Sequence, residues 1–259
     1  MPSRCWLWIV TVSLFYLGAL IAAPAEEQPR PGAAVRPASA PSVPVLLKAA
    51  QTALGGESAF ARVRSLTVRY TLQWTTNPNS RPRPFAFTMV MPDGMWAQTG
   101  RVTHTLKGEA FWQNEDNPAE IRAIAHQNAR VDFVLWTLVF LLRTPTVMPL
   151  DAEVRGPSAI GTVRGDGLLF RGKDGFRMTL LIDQHTRQPL GFSMPWDNTT
   201  TSGRNNEMER TGQLSDYREV GGVRFPHRID EAFGTDRSRM QVTELLVNPE
   251  GVDKLFVKP

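Results

Sequence analysis

From Phe176 to Val247 the chain reads as strand after strand of alternating residues, with the large apolar side chains of each on one face. Met178, Leu180 and Ile182 share one parity, as do Leu190, Phe192, Met194 and Trp196; Val223, Phe225 and Ile229 follow, then Met240, Val242 and Leu246. Successive side chains of a strand point to opposite sides, so the pattern predicts a wide antiparallel sheet with one apolar and one solvated face. An apolar face of that width needs a cover.

The preceding residues extend the pattern. Leu66, Val68, Tyr70, Leu72 and Trp74 alternate as a first strand, and Phe85, Phe87, Met89 and Met91 as a second. Residues 95–99, 102–106 and 109–112 read as short meander strands, and 152–155, 159–163 and 168–171 as three more, separated by turns at Gly156-Pro157 and Gly165-Asp166-Gly167. The total is about ten or eleven strands with close turns and no regularly interposed helices, which argues against parallel βαβ architectures. A short amphipathic helix over 45–54 comes first, with Leu46, Leu47, Ala50 and Leu54 on one side and Gly55-Gly56 ending it.

One long helical segment, 118–142, interrupts the strands. From Phe133 to Leu142 it is apolar on every side except at Thr137, and a helix apolar all round must be buried. This part spans only ~15 Å, half the ~30 Å of a bilayer core, so it is not a membrane span. Asp132 before it and Arg143 after it suit the helix dipole, and Thr144-Pro145 stops it. The simplest packing lays this helix on the apolar face of the curved sheet as plug or lid.

Residues 1–25 have the layout of a secretory signal: Arg4 supplies positive charge, residues 6–21 are almost wholly apolar, and Ala23-Pro24-Ala25 offers small residues for cleavage. Cleavage near Ala25 removes the single cysteine, Cys5, which lies too near the start to be an acylated lipoprotein residue. The expected product has no thiol, no disulfide, no lipid anchor and no membrane span. Export without disulfides fits a bacterial periplasm, since about 230 residues bury enough surface without staples. Residues 26–44, rich in Pro, Ala and Arg, read as a disordered leader, and 45–259 as one domain. The net charge of +4 is modest and interspersed with acids, which argues against nucleic-acid binding.

Catalytic signatures are lacking. His104, His126, His185 and His227 lie in separate segments without metal-ligand spacing, and there is no nucleophile elbow, phosphate loop or dinucleotide fingerprint. No cofactor and no metal is expected. Asp166 and Asp174 read as turn residues, and Asp116 and Glu120 as carboxylates at a helix N-terminus. Adaptable thioethers and flat aromatics are what a site for variable acyl chains uses. The candidate ligand-binding set is therefore Leu72, Trp74, Phe87, Met89, Met91, Trp96, Trp136, Met178, Leu180, Ile182, Phe192, Met194 and Trp196, with Trp112 a further aromatic of the same pattern.

Four stretches carry a family resemblance: LGGESAFARVRSL at 54–66, LLIDQHTRQPLGF at 180–192, LSDYREVGGVRFPHRI at 214–229 and VNPEGVDKLFVKP at 247–259. With the pattern above, the chain resembles the LolA-like lipoprotein-carrier superfamily over its length after about Pro44. That resemblance implies an α+β fold in which a strongly curved antiparallel sheet forms an incomplete β-barrel, with an N-terminal helix and a buried apolar helix over the concave face. It implies a non-enzymatic periplasmic carrier for lipoprotein acyl chains or another apolar ligand, with a possible envelope protein partner. The alternative is an interaction or sensor scaffold whose cavity is permanently filled by its own helix. In either reading Gly221-Gly222 makes a tight hairpin, and Asp253, Phe256 and Pro259 pin the C-terminus to the sheet.

Overall fold

Twelve strands form one antiparallel sheet in the computed structural model, which describes residues 41–142, 148–172, 175–197 and 207–258, the side chains of Trp196, Asp197 and Glu207 excepted. The strands are β1 (Ser65–Trp74), β2 (Arg83–Val90), β3 (Gly94–Thr99), β4 (Val102–Lys107), β5 (Ala110–Gln113), β6 (Leu150–Ile160), β7 (Val163–Gly172), β8 (Arg177–Ile182), β9 (Pro189–Asp197), β10 (Glu207–Val220), β11 (Val223–Phe233) and β12 (Asp236–Val247). Their order is β5-β4-β3-β2-β1-β12-β11-β10-β9-β8-β7-β6, so β5 and β6 are the two edges and the sheet does not close. Helices α1 (Val43–Ala53) and α2 (Glu57–Arg62) precede it, and α3 (Ala119–Val139) joins the edge strands. The fold is an α+β open half-barrel.

The sheet curves around α3, which touches β3 and β4 on one side and β8 and β9 on the other. Concave-face side chains meet it there: Leu66, Val68, Phe87, Met89, Met95 and Leu106 from one wing, and Leu168, Met178, Leu180, Ile182 and Phe192 from the other, all 2% exposed or less. Burial of each such side chain is worth roughly 1.5–3 kcal/mol, so this shared core dominates the fold's stability.

Several expectations need correction. The described residues form twelve strands where about ten or eleven were expected, and 150–160 and 163–172 run as two unbroken strands in place of three short pieces. Gly156-Pro157 lies inside β6 just after a bulge at Arg155, where the register shifts between Val154 and Gly156, and Gly165-Asp166-Gly167 lies inside β7. Asp166 is thus a strand residue, paired with Arg187 at 3.3 Å. In β12 a bulge opposite Arg69 and Tyr70 flips the alternation: Leu245 turns inward at 6% exposure while Leu246, expected inside, is 38% exposed. Helix α1 starts two residues earlier than expected, with Pro44 in its first turn. Helix α3 ends at Val139, and Phe140 to Leu142 continue as buried turn residues, with Leu141 at a φ of 51°.

The half-barrel has two unlike ends. At one, Gly221 and Gly222 turn β10 into β11 with φ of 63° and 82°, values that favour glycine. The backbone of Gly55, after α1, abuts the Gly222 carbonyl, and Arg224 N donates to the Leu54 carbonyl at 2.7 Å. Near this end, the 3-10 turn Val252–Phe256 packs on the outer face of β3 and β4, Phe256 lying against Gly94 and the Thr105 hydroxyl donating to Leu255 O at 3.5 Å. Phe256 thus pins the C-terminus to the sheet, while Pro259 lies outside the described residues. So do the signal and leader segments up to residue 40, Arg143 to Pro145, and Asp174. No helix among the described residues is long and apolar enough to cross a membrane.

Candidate functional site

Helix α3 occupies the concavity. Phe133, Val134 and Leu135 are fully buried, Val139 and Phe140 are 1% exposed, and Trp136 5%. Trp136 stacks on Phe87 at 5.4 Å and on Phe140 at 5.9 Å, and Phe140 meets Phe225 edge-on at 5.7 Å. The apolar interior is filled by this helix, and open space remains at its flanks. A groove of about 340 Å³ runs between α1, the C-terminal turn of α3 and edge strand β6, lined by Leu47, Leu138, Leu141, Leu142, Leu150 and Phe170. A cleft of about 360 Å³ opens beside the middle of α3, at the end of the half-barrel away from Gly221.

Charged side chains meet at this cleft. Arg210, on the inward face of β10, donates from Nε and Nη2 to Glu231 Oε1 at 3.0 and 2.7 Å, and from Nη1 to Asp132 Oδ1 of α3 at 3.3 Å. Its guanidinium also lies 5.3–5.9 Å from the ring centroids of Trp136, Phe192 and Phe233. Burial disfavours its charge, but the Glu231 and Asp132 carboxylates more than offset that and raise its pKa above the ordinary arginine value. Burial also pushes the nearby Tyr70 hydroxyl well above the tyrosine range, and the same two carboxylates add to the shift. Gly212 leaves the space that the Phe192 ring fills, and Phe192 in turn supports Arg210.

Of the candidate residues, Phe87, Met89, Trp136, Met178, Leu180, Ile182, Phe192 and Met194 are brought together in the buried core around α3. Leu72 is half-buried and lines the cleft, where Trp74 stands at the rim, 40% exposed and against Phe233 at 5.8 Å. Met91 follows β2, half-buried against the core. Trp96 belongs elsewhere: it sits opposite Thr88 and Thr105, one residue out of phase with the inward Met95, and so on the outer face. The side chain of Trp196 lies outside the described residues. Asp132 is no dipole residue at a helix start; it is in the interior of α3 and ties the helix to Arg210.

Arg210 and Glu231 escaped sequence reasoning. Their signal was charge at inward parity, since Arg210 alternates with Leu214 and Glu231 with Ile229. His104 is half-buried and its pKa is lowered by burial, an effect that Asp132 opposes. His126 stacks on Phe111 at 5.3 Å. His185 is exposed in the turn after β8, and His227 is buried with Nδ1 2.9 Å from Phe225 O. Among the described residues no group of three or more His, Cys, Asp and Glu is placed to hold a metal ion.

An open antiparallel half-barrel with a helix in its concavity defines the class. The chain has a divergent LolA-like fold: it is similar to a LolA superfamily protein from Nitrosomonas europaea, with a TM-score of 0.51, 14% identity, and 81% of this chain and 97% of that one covered. A DUF1329 family protein from Desulfovibrio piger is similar with a TM-score of 0.51, 9% identity and coverage of 83% and 97%. A putative outer membrane lipoprotein-sorting protein domain from Vibrio parahaemolyticus has a TM-score of 0.46, 11% identity and coverage of 81% and 97%. No family model matches the chain, and no curated protein matches it.

Proposed function

We propose that the protein is a non-enzymatic periplasmic carrier that shields an apolar ligand, the acyl chains of a lipoprotein or lipid, in the space that α3 fills when no ligand is bound. The observation that carries this reading is the connectivity of the cover: α3 joins the two edge strands of an open sheet, so lifting it breaks no strand ladder. The ties between α3 and its surroundings include the Asp132–Arg210 pair and the bond from Gln51 Nε2 to Leu141 O at 3.1 Å. Along its buried face the helix presents apolar contact from Phe133, Val134, Leu135 and Val139, which an acyl chain can replace.

The magnitudes allow exchange. Five large apolar side chains buried on α3, Phe133, Val134, Leu135, Trp136 and Val139, give about 10 kcal/mol at roughly 2 kcal/mol each, and an acyl chain of about 15 methylenes returns about 12 kcal/mol at 0.8 per methylene. Near balance is what a reversible carrier needs. The ligand would then lie against Leu72, Phe87, Met89, Met178, Leu180, Ile182, Phe192 and Met194, with the groove of Leu47, Leu138 and Phe170 as its way in.

A second reading, a scaffold whose interior is permanently filled, is favoured by the complete burial of Phe133, Val134 and Leu135. Substitution of Trp136 by alanine separates the two. The cavity costs about 3–5 kcal/mol of stability in either case. Under the carrier reading the variant takes up a fluorescent fatty acid or lipopeptide more readily than the parent. If neither protein binds the probe after delipidation and the variant only unfolds earlier, the scaffold reading holds.

A further inference from the structure

We propose that the cleft beside α3 is a binding site for a primary ammonium group carried on an apolar stem, which goes beyond acyl-chain carriage and does not depend on it. Three carboxylates, Asp132, Glu231 and Asp236, line this cleft of about 360 Å³ with a single guanidinium, that of Arg210. The hydrogen bonds of Arg210 to Glu231 and Asp132 occupy its cationic face toward two of those acids. A carboxylate or phosphate entering here would face an excess of negative charge at short range, whereas an ammonium would relieve it.

Two further features select an organic cation over a bare ion. The walls are aromatic and apolar: Trp74 stands at the rim with its ring partly exposed, and Leu72 and Met240 offer a surface for the stem. Beside this lining, Ser238 carries a hydroxyl without a partner among the described residues. It is 2% exposed, its Oγ makes no hydrogen bond to any described residue, and it shares the inward parity of Asp236 and Met240, which line the cleft, directly across the ladder from both Trp74 and Glu231. A buried hydroxyl in that condition is costly unless a ligand completes it, and an ammonium N–H donates to such an oxygen.

Titration calorimetry on the full chain with benzylammonium, benzoate and benzyl alcohol tests the assignment, since the three differ in charge and little in size. Benzylammonium is expected to bind at least tenfold more tightly than either of the others. Asp236→Asn, at an exposed rim position, and Asp132→Asn should each weaken it at least threefold, as should Trp74→Ala, with thermal midpoints confirming that each variant is folded. Binding of benzoate as tightly as benzylammonium, the absence of binding heat with benzylammonium, or unchanged affinity in the folded aspartate variants would overturn the proposal. Fatty-acid uptake is read separately, so loss of the carrier reading and loss of this site are distinguishable.

Discussion

The end of the half-barrel that carries Gly221 and the end that carries Arg210 are held by different physics. At the first, backbone meets backbone: Gly55 abuts Gly222, Arg224 N bonds to Leu54 O, and α1 and α2 cap the sheet. At the second, side chains meet across space: one guanidinium holds two carboxylates, and an aromatic rim borders an open cleft. Backbone closure is specific to one geometry and yields only by local unfolding, whereas an ion pair between α3 and the sheet is exchangeable for contacts with solvent or ligand. Under the proposed carrier reading, the difference puts rigidity at the glycine end and the capacity for motion in α3.

The largest effect expected from breaking this contrast is at the rigid end. Replacing Gly221 and Gly222 together by valine forces two residues into positive φ and drives a side chain toward Val247, at a cost of about 4 kcal/mol in urea melts. Stability within about 0.5 kcal/mol of the parent would show that this turn carries no strain and that the end is held otherwise.

Next comes the polar end. Glu231→Gln leaves the Arg210 charge without its most buried counter-charge and is expected to destabilise by about 3 kcal/mol. Asp132→Asn should cost less, because Asp132 is the more exposed partner, with 32% of its side chain accessible against 2% for Glu231. The reverse ranking would mean that the helix tie, and not the sheet pair, organises the cluster.

The smallest effect concerns His104. Its pKa is lower folded than unfolded, chiefly through burial, so the unfolded chain binds more protons below the ordinary histidine value. Stability should therefore be insensitive to this group above about pH 6.5 and fall as the pH drops through the window below it. His104→Gln should flatten that part of the profile; an unchanged slope would assign it to other groups.

Most of the sheet was legible because its strands keep strict alternation on one buried face: Met178, Leu180 and Ile182 point where parity puts them. Legibility failed where the backbone breaks period. The bulge opposite Arg69 exchanged Leu245 for Leu246, and the glycines of β6 and β7 mimicked turns while lying in bulged or closely packed strand. The fully apolar stretch of α3 marked the cover from sequence alone, yet the cover's ionic tie did not show, since Asp132, Arg210 and Glu231 are far apart in sequence, Asp132 reads locally as a helix-dipole residue and the other two as ordinary strand charges. Trp96 was misplaced because in a short strand one residue decides the face.

The central claim is that α3 leaves the concavity when an apolar ligand enters. Val139, 1% exposed on the helix, offers a direct test as Val139→Cys in a Cys5→Ser chain. The rate of thiol modification by a water-soluble maleimide is measured with and without a saturating fatty acid. Displacement of the cover is expected to accelerate labelling at least tenfold, whereas an unchanged rate with the fatty acid demonstrably bound would contradict the displaceable cover and leave the helix as permanent core.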